Sequence, residues 1–266
     1  MRLLSSGTVA DGATIYSVDD CGSSFVLHMS PAAFPSAIRQ AVERNCTARD
    51  VLGPELGHVI PPPLAQWESQ GISCALFRQF QPLSNWRLTR HLQMRRMTPK
   101  VLSWLRGVAQ LDRGVSGKAE RSLRALADCP CEAIQEAALG AFNRVKSGAF
   151  IPRNRVMHGD LWSGNLLLDP SGERDFIVID WGGSHVDGFP IFDLVRFVES
   201  ARIPASPLRR ELGAHAERLE CDLADTRIYL LAALGLIWHN LGQFPAERFS
   251  AMATRNLQTL EAALNE

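Results

Sequence analysis

The sequence has no apolar run long enough to cross a membrane, since no stretch of about 18 apolar residues occurs in its 266 positions. The opening letters M-R-L-L-S-S-G-T lack the apolar core of a secretory leader. An excess of one charge is also missing, because 28 Lys and Arg balance 28 Asp and Glu. Zero net charge gives no general attraction to nucleic acid or to a membrane surface. We therefore expect a soluble, cytoplasmic protein whose partner is neither nucleic acid nor membrane.

Cysteine and histidine patterns that would build a metal site are absent as well. No C-x-x-C or H-x-x-x-H spacing occurs. The scatter of the cysteines favours free thiols over a disulfide framework. An apolar content of 46% is enough to bury the core of one bilobal domain or two small ones. The six cysteines are at positions 21, 46, 74, 129, 131 and 221.

The sequence does contain a group of polar residues between Val156 and Trp181. This segment reads V-M-H-G-D-L-W-S-G-N-L-L-L-D and, after a turn, F-I-V-I-D-W. A phosphotransfer site has a catalytic aspartate two residues after a histidine, an asparagine five residues later and a metal-binding aspartate on the next strand. This spacing is matched in order by His158, Asp160, Asn165 and Asp180.

The spacing has a physical reason, because phosphoryl transfer needs one group facing the attacking hydroxyl and another facing Mg²⁺. A short loop lets Asp160 and Asn165 face one cleft, and an expected strand over 166–168 anchors its far end. Turn residues at 169–172 join that strand to a hairpin partner over 176–179, so Asp180 emerges beside Asn165. An amide and a carboxylate suit Mg²⁺, which prefers few carboxylates.

Two other interpretations of these residues remain open at this point. In the first, His158 and Asp160 are ordinary turn residues and Asp180 is a helix or turn cap. In the second, the residues bind the metal of a hydrolase, although their spacing does not support a metal site. The ligands of that hydrolase would be His158, Asp160, Asp180 and His185.

The letters H-G-D-L-W-S-G-N followed by I-D-W resemble the superfamily of aminoglycoside phosphotransferases, choline kinases and fructosamine kinases. The tryptophan form of the loop, with Trp162, is most similar to the fructosamine kinase branch. The resemblance implies an α+β fold of the bilobal, protein-kinase-like type. It implies a small antiparallel-sheet lobe that binds the nucleotide at 1–80 and a mostly helical lobe with the catalytic loop and substrate site at 81–266.

The resemblance also assigns roles to residues. It implies Asp160 as the catalytic base, Asn165 and Asp180 as Mg²⁺ ligands, and His158 as a brace for the loop. The letters G-F-P-I-F-D-L at 188–194 are similar to a superfamily segment in which an aspartate at a helix start supports the catalytic loop. That aspartate is Asp193, which is also compatible with a simple helix N-terminal role.

Local patterns predict the following elements of the two lobes. Alternating residues and turn signals predict strands, and apolar spacing of three and four predicts helices. The helix from Pro99 is expected to have that proline near its first position. The expected elements are strands at 14–18, 24–29 and 72–77, a turn at 19–22, helices at 35–52 and 99–112, a connector at 78–86 and a core helix at 229–241.

The expected nucleotide lobe departs from the superfamily in one position. A strand that normally ends in a phosphate-binding lysine has His28 instead, and no lysine precedes Lys100. Glu43 matches the helix glutamate that normally pairs with that lysine. We expect His28 to donate to a phosphate or to pair with Glu43, since a neighbouring carboxylate favours the charged imidazolium. The alternatives are a half-exposed strand residue, or replacement of the lost charge by an arginine such as Arg39 or Arg78.

The expected phosphate loop is also unusual. The letters S-S-G-T-V-A-D-G at 5–12 form a glycine-containing turn, but they fit neither the Walker pattern nor G-x-G-x-x-G. Backbone N–H groups near Ser6 and Gly7 are the expected phosphate contacts. Turns of this kind also occur in plain hairpins.

Charge is unevenly placed along the chain. Residues 84–124 hold ten Lys or Arg and two acids, whereas residues 166–225 hold six Arg and twelve acids. The acidic stretch favours a cationic amino-sugar or amine, and the basic stretch favours an anionic substrate or partner. Both patterns are also typical of solvated helix faces. Trp162 is expected against a sugar ring or in the core. The candidate acidic contacts are Asp187, Glu199, Glu217, Glu220, Asp222 and Asp225.

The sequence therefore predicts ATP- and Mg²⁺-dependent transfer of the γ-phosphoryl group to a hydroxyl of a sugar, an amino-sugar such as an aminoglycoside, or an amino alcohol. The alternative is a catalytically silent protein of the same fold that binds a nucleotide or small ligand in a regulatory role. Neither the oligomeric state nor a choice between ATP and GTP follows from the residues.

Overall fold

The structure is a computed structural model that describes residues 1–5, 12–20, 22–242 and 244–266. The chain forms two compact units, the first from residues 1–93 and 164–183 and the second from residues 94–163 and 184–266. The sequence places the boundary near residue 80, whereas the first unit also takes in 81–93 and 164–183. These residues belong there because β6 (Gln81–Pro82) pairs with β8 (Leu166–Leu168), and Val178 N donates to Val59 O over 2.9 Å.

The first unit is built on an antiparallel sheet with the strand order β1-β2-β3-β5-β4. Alternation of β-branched and aromatic residues favours these strands, and the expected strands are confirmed with slightly longer bounds. A smaller sheet has the order β6-β8-β9, with β9 at Ile177–Val178. The large sheet contains β1 (Arg2–Ser5), β2 (Thr14–Asp20), β3 (Ser23–Met29), β4 (Ala65–Ser69) and β5 (Ile72–Arg78).

Helix α1 (Ala37–Gly57) packs on β5 through Ile38, Val42 and Ala75. It is longer than expected because it continues past a kink at Gly53, whose φ of 68° is readily adopted by glycine. Two serines from the sheet satisfy its first N–H groups, since Ser30 Oγ accepts from Ile38 N over 2.9 Å and Ser73 Oγ accepts from Arg39 N over 3.1 Å. These bonds fix the start of α1 against the sheet.

The second unit is mostly helical. Strand β7 (Arg155–Met157) pairs antiparallel with β10 (His185–Gly188), and 3-10 turns lie at Trp181–Gly183, in the first unit, and at Leu223–Asp225. Helix α2 (Arg87–Gln110) begins in the first unit and ends in the second. The other helices are α3 (Lys118–Leu126), α4 (Glu132–Lys146), α5 (Ile191–Ala201), α6 (Ala205–Leu219), α7 (Thr226–His239) and α8 (Ala246–Leu264).

Helix α7 is the core of the second unit. It is apolar on most faces, and its residues 228–236 are all buried. This agrees with the core helix expected over 229–241. Helix α3 approaches α7 so closely that a Cβ at Gly235 would lie 2.0 Å from the carbonyl oxygen of Ser122. None of the helices in the described part of the chain is long and apolar enough to span a membrane.

One expected helix boundary is wrong. Pro99 lies in the interior of α2, which begins twelve residues earlier at Arg87. Proline removes one helical hydrogen bond, but the flanking residues continue the helix on both sides. The expected thiols are confirmed for the five described cysteines, which form no disulfide. The fold class is confirmed as α+β, with an antiparallel-sheet region and a mostly helical remainder.

Candidate active site

The loop that follows β7 in the second unit is held at its start by Asp193. This aspartate lies in the first turn of α5 and is buried. Its carboxylate accepts from the backbone N–H of His158 over 2.6 Å and of Gly159 over 3.0 Å. Burial raises the pKa of Asp193 to about 7; these N–H groups oppose that rise, and the charge of Asp160 adds to it.

His158 is fully buried beneath the same loop. Its Nδ1 accepts from the backbone N–H of Asp160 over 3.2 Å. Gly159 between them has a φ of 86°, a conformation that favours glycine. The H-G-D letters therefore form a tight turn in which the histidine side chain folds back on the backbone of the aspartate.

Asp160 is half-buried, and its carboxylate is contacted by a cation from α5. Arg196 donates from Nε to Oδ1 of Asp160 over 3.3 Å, and from Nη1 to Glu199 over 3.2 Å. Arg255 donates to the other oxygen of Glu199 over 3.1 Å. The position of the Asp160 carboxylate is thus set by an arginine that is itself held by a second carboxylate.

The far end of the loop also binds α5, because Ser163 N donates to Ser200 Oγ over 2.9 Å. The three α5 residues that contact the loop are Asp193, Arg196 and Ser200. Their spacing of three and four places them on one face of the helix. We call this set the α5 stripe, and it holds the start, the middle and the end of the loop.

In the first unit, Asn165 and Asp180 lie at the ends of a hairpin. Leu166 pairs with Val178, and Ile179 N donates to the carbonyl oxygen of Asn165 over 3.0 Å. Asn165 is buried and Asp180 is exposed. Asp180 has a φ of 66°, which a non-glycine residue adopts only when its surroundings impose it. The expected hairpin is confirmed, with a shorter second strand.

The segment after Asp180 is tied to α1. Arg44 donates from its guanidinium to the carbonyl oxygen of Gly182, and Ala41 lies close to the same glycine. The indole of Trp181 is buried and donates to Val178 O over 3.0 Å. These contacts fix the backbone on the C-terminal side of Asp180.

His28 lies on β3 of the first unit, and its ring meets Phe77 edge-on at 5.2 Å between centroids. Burial lowers its pKa below the usual range, although the charge of Asp180 acts in the opposite direction. The expectation that a carboxylate keeps this imidazole charged is therefore wrong, because desolvation outweighs the attraction. The interacting carboxylate is Asp180, and Glu43 on α1 is exposed.

The other residues expected around a nucleotide are dispersed or outside the described chain. Ser6 and Gly7 lie outside the described residues. Arg78 ends β5 and is exposed. Arg39 pairs with Glu68 over 2.8 Å on the surface.

The residues expected to contact a substrate lie in the second unit. Trp162 is 39% exposed, so it is not a core residue. Asp187 forms an ion pair with Lys118, and Glu199 is held by Arg196 and Arg255. Of the other acids, Glu220 pairs with Arg153 and the buried Asp225 with Arg144. Glu217 and Asp222 are exposed, and together with Glu220 and Asp225 they line a cavity of about 390 Å³.

The structure brings together two groups of the expected site residues. His158, Asp160 and Asp193 meet in the second unit. In the first unit Asn165 and Asp180 share one hairpin end, and the charge of Asp180 acts on His28. No three His, Cys, Asp or Glu side chains among the described residues are placed to hold a metal ion, so the hydrolase ligand set is not assembled. An amide oxygen and an exposed carboxylate at one hairpin end do fit Mg²⁺, which takes few protein ligands.

Sequence reasoning missed Arg196, Ser200 and Arg44. A signal for Arg196 is present, since D-x-x-R at 193–196 puts both side chains on one helix face beside the expected loop. The hydroxyl of Ser200 accepts from a backbone N–H, and the guanidinium of Arg44 donates to a backbone carbonyl oxygen. No residue pattern in the sequence predicts such bonds.

Solved structures of similar fold include a thermostable mutant of aminoglycoside phosphotransferase APH(4)-Ia in a ternary complex with AMP-PNP and hygromycin B. That match has a TM-score of 0.62 and 15% identity, and it covers 100% of this chain and 94% of that one. Choline kinase LicA from Streptococcus pneumoniae matches with a TM-score of 0.52 and 12% identity, covering 100% and 95%. A protein assigned as a fructosamine-3-kinase from Haemophilus somnus 129PT matches with 0.57 and 13%, covering 94% and 89%.

At these low identities the structural matches show the fold alone, which is the kinase-like fold implied by the sequence. Comparison with curated proteins gives no match. The family itself is shown by the sequence, because residues 87–229 match the model of the phosphotransferase enzyme family, and this span is more than half of the chain. The protein therefore belongs to the phosphotransferase enzyme family.

Proposed function

We propose that the protein transfers the γ-phosphoryl group of ATP to a hydroxyl of a small polar molecule. The observation that carries this proposal is the α5 stripe, which fixes the loop around Asp160 at three points. A carboxylate needs such positioning to act on a hydroxyl, because catalysis of phosphoryl transfer rests on placement and electrostatics. Structures of similar fold that contain AMP-PNP or AMP support a nucleotide donor.

In this proposal Asp160 orients the acceptor hydroxyl and takes its proton. The hydroxyl oxygen attacks the γ-phosphorus, the bond from that phosphorus to the β,γ-bridging oxygen breaks, and ADP leaves. Asp193 and His158 act as positioning residues, since each contacts the loop backbone and not a reacting atom. Arg196 orients the Asp160 carboxylate.

Asn165 and Asp180 would hold Mg²⁺ in the same reaction. When bound, this ion neutralises charge on the phosphate oxygens. The backbone bond between Ile179 and Asn165 keeps the two side chains at one hairpin end, and the contacts of Arg44 and Trp181 hold the backbone beyond Asp180 in place. The left-handed conformation of Asp180 is a strained geometry of the kind found at functional sites.

Calorimetric titration with ATP, with and without Mg²⁺, tests this role of the hairpin. We expect Mg²⁺-dependent binding in the parent and its loss in Asp180→Ala. Asp175→Ala is a matched control, because Asp175 is an exposed aspartate in the same hairpin. Equal Mg²⁺-dependent binding by the parent and Asp180→Ala would remove Asp180 from the site.

A second function, that of a silent ligand-binding protein of this fold, is favoured by His28. The superfamily resemblance implies a lysine at this strand position, and burial lowers the pKa of the histidine that replaces it. A neutral imidazole offers phosphate less than an ammonium does. The two functions differ in their need for Asp160, since a silent binder has no use for a base.

A further inference from the structure

A cavity of about 320 Å³ lies in the second unit among α3, β10 and the end of α7. This volume is at the lower end of the range for small-molecule sites. Its floor is apolar at Leu236, which is buried, and the cavity wall at α3 and α7 is fixed by the close approach of Gly235 to Ser122. The lining residues are Lys118, Arg121, Ser122, His185, Leu236, His239 and Asn240.

All four titratable residues that line this cavity are basic. They are Lys118, Arg121, His185 and His239, and we call the space they surround the cationic cavity. Asp187 is the acid that contacts the set, and it is engaged in an ion pair with Lys118. Among the described residues neither Arg121 nor His239 forms an ion pair, and both residues are exposed. Because Lys118 is paired with Asp187, the net positive charge of the cavity at neutral pH is that of Arg121.

The cationic cavity is linked to the start of the catalytic loop through the β7–β10 ladder. His185 is paired with Met157 across the β7–β10 ladder, and Asp160 follows Met157 by three residues. Opposite Cα atoms in such a ladder are about 5 Å apart, and three residues of chain span at most about 11 Å. The Cα atoms of His185 and Asp160 are thus within about 16 Å, a distance that a ligand of sugar-phosphate size bridges together with its side-chain contacts.

Two of the acids expected to attract an amine substrate are neutralised by cations. Asp187 is neutralised by Lys118, and Glu199 by Arg196 and Arg255. The positive charge of Arg121 lies in the cationic cavity. Complementary charge concentrates a ligand of opposite sign.

We propose that the acceptor carries an anionic group, a carboxylate or a phosphate, and that the cationic cavity binds it while the acceptor hydroxyl faces Asp160. This rests on the proposed phosphotransfer function for the reaction, but the binding part stands on the cavity alone. Arg121 is a substrate-binding residue in this assignment, because an exposed guanidinium can bind a planar carboxylate or a phosphate through two parallel hydrogen bonds.

The test uses four probes that differ in one group: glucuronate, glucose 6-phosphate, glucose and glucosamine. Binding of each to the full chain is measured by calorimetry in the presence of Mg²⁺ and AMP-PNP, and transfer from ATP is measured with the same probes. The variants are Arg121→Gln and, as a control, Arg124→Gln, which changes an arginine on the same helix that does not line the cavity.

We expect an acidic probe to bind at least about 10-fold tighter than glucose, and Arg121→Gln to remove most of that difference, as loss of a charge-assisted hydrogen bond would. Arg124→Gln should leave all four affinities unchanged. Comparing the affinities for glucuronate and glucose 6-phosphate shows whether the anionic group of the acceptor is a carboxylate or a phosphate. Tighter binding of glucosamine, or equal effects of Arg121→Gln on glucose and on the acidic probes, would overturn the proposal.

Different outcomes of this experiment would overturn the anionic-acceptor proposal and the phosphotransfer function. Transfer to glucosamine but not to the acidic probes would keep the function and overturn the anionic acceptor. Tight, Arg121-dependent binding of an acidic probe with no transfer to it would support the cavity assignment and count against the function. Absence of binding by both acidic probes at millimolar concentration would overturn the cavity assignment.

Discussion

Arg196 donates to the carboxylate of Asp160 over 3.3 Å from the middle of the α5 stripe. The same helix binds the loop backbone through Asp193 at its start and through Ser200 at its end. A single helix thus determines where the expected catalytic carboxylate lies. Substitutions on this stripe should change turnover more than nucleotide affinity, because the stripe contacts the loop that holds Asp160.

Arg196→Gln should lower kcat by about 3- to 30-fold, since the Asp160 carboxylate loses its orienting contact while the loop backbone keeps its other bonds. The KM for ATP should not change. Arg196→Lys should restore part of the rate because it keeps the charge but not the geometry. Arg255→Gln is the control, since Arg255 touches Glu199 and not Asp160. Equal kcat values in all three variants and the parent would show that Arg196 has no positioning role.

Asp193 should make folding stability depend on pH. Its pKa rises from 3.8 to about 7 on folding, mainly through burial. Between these two values the folded state binds more protons than the unfolded state, so the free energy of unfolding decreases as the pH rises through this window. The slope from this group is at most about 1.4 kcal/mol per pH unit. Below pH 4 and above pH 7 the contribution is flat.

Urea denaturation at pH 5 and at pH 7 checks this dependence. Asp193→Asn should remove the slope, because an amide does not titrate between pH 4 and pH 7. Asp128→Asn, which changes an exposed aspartate, serves as control. The same slope in the parent and Asp193→Asn would mean that Asp193 does not titrate in this window.

Gly235→Ala should destabilise the second unit by about 3 kcal/mol or more, because a methyl group there would overlap the Ser122 carbonyl. Gly213→Ala on α6 has open space around its Cβ and should leave stability unchanged or raise it by about 1 kcal/mol. Thermal unfolding of both variants makes the comparison. A normal melting temperature for Gly235→Ala would contradict the close packing of α3 on α7.

His28→Lys should tighten Mg²⁺-ATP binding about 10-fold, since it would place an ammonium where burial now favours a neutral imidazole. His91→Lys adds the same charge at an exposed position of α2 and should have no such effect. Calorimetry gives both affinities. If His28→Lys binds nucleotide as the parent does, the strand position is not part of the phosphate site.

The candidate catalytic segment was predictable because its pattern is local. The spacing from His158 to Asn165 and the hairpin that ends at Asp180 both follow from turn residues and short apolar runs, and the structure has both. The Asp193 contact to the loop was implied only through the resemblance, because residues 35 positions apart share no local pattern. The start of α2 was missed because Pro99 looks like a first-turn residue, although Ser84 and Asn85 before Arg87 are residues typical of a helix start.

The charge state of His28 and the ion pairs of the acidic residues were the features least predictable from the sequence. His28 was expected to stay charged near a carboxylate, but its burial on β3 dominates, and burial depends on the packed sheet. The acidic stretch suggested an amine substrate, yet Asp187 and Glu199 are paired with cations from other elements. Counting charges along the chain does not show which of them are neutralised by residues distant in sequence.

The most direct test is the rate of phosphoryl transfer from ATP to a panel of hydroxyl acceptors by the parent and by Asp160→Asn, with nucleotide affinity measured in parallel. We predict that kcat falls by about 10²- to 10⁴-fold in Asp160→Asn, as loss of a positioned base requires, while the Kd for Mg²⁺-ATP stays within about twofold. Full turnover by Asp160→Asn on an acceptor that the parent phosphorylates would contradict the assignment of Asp160 as the base.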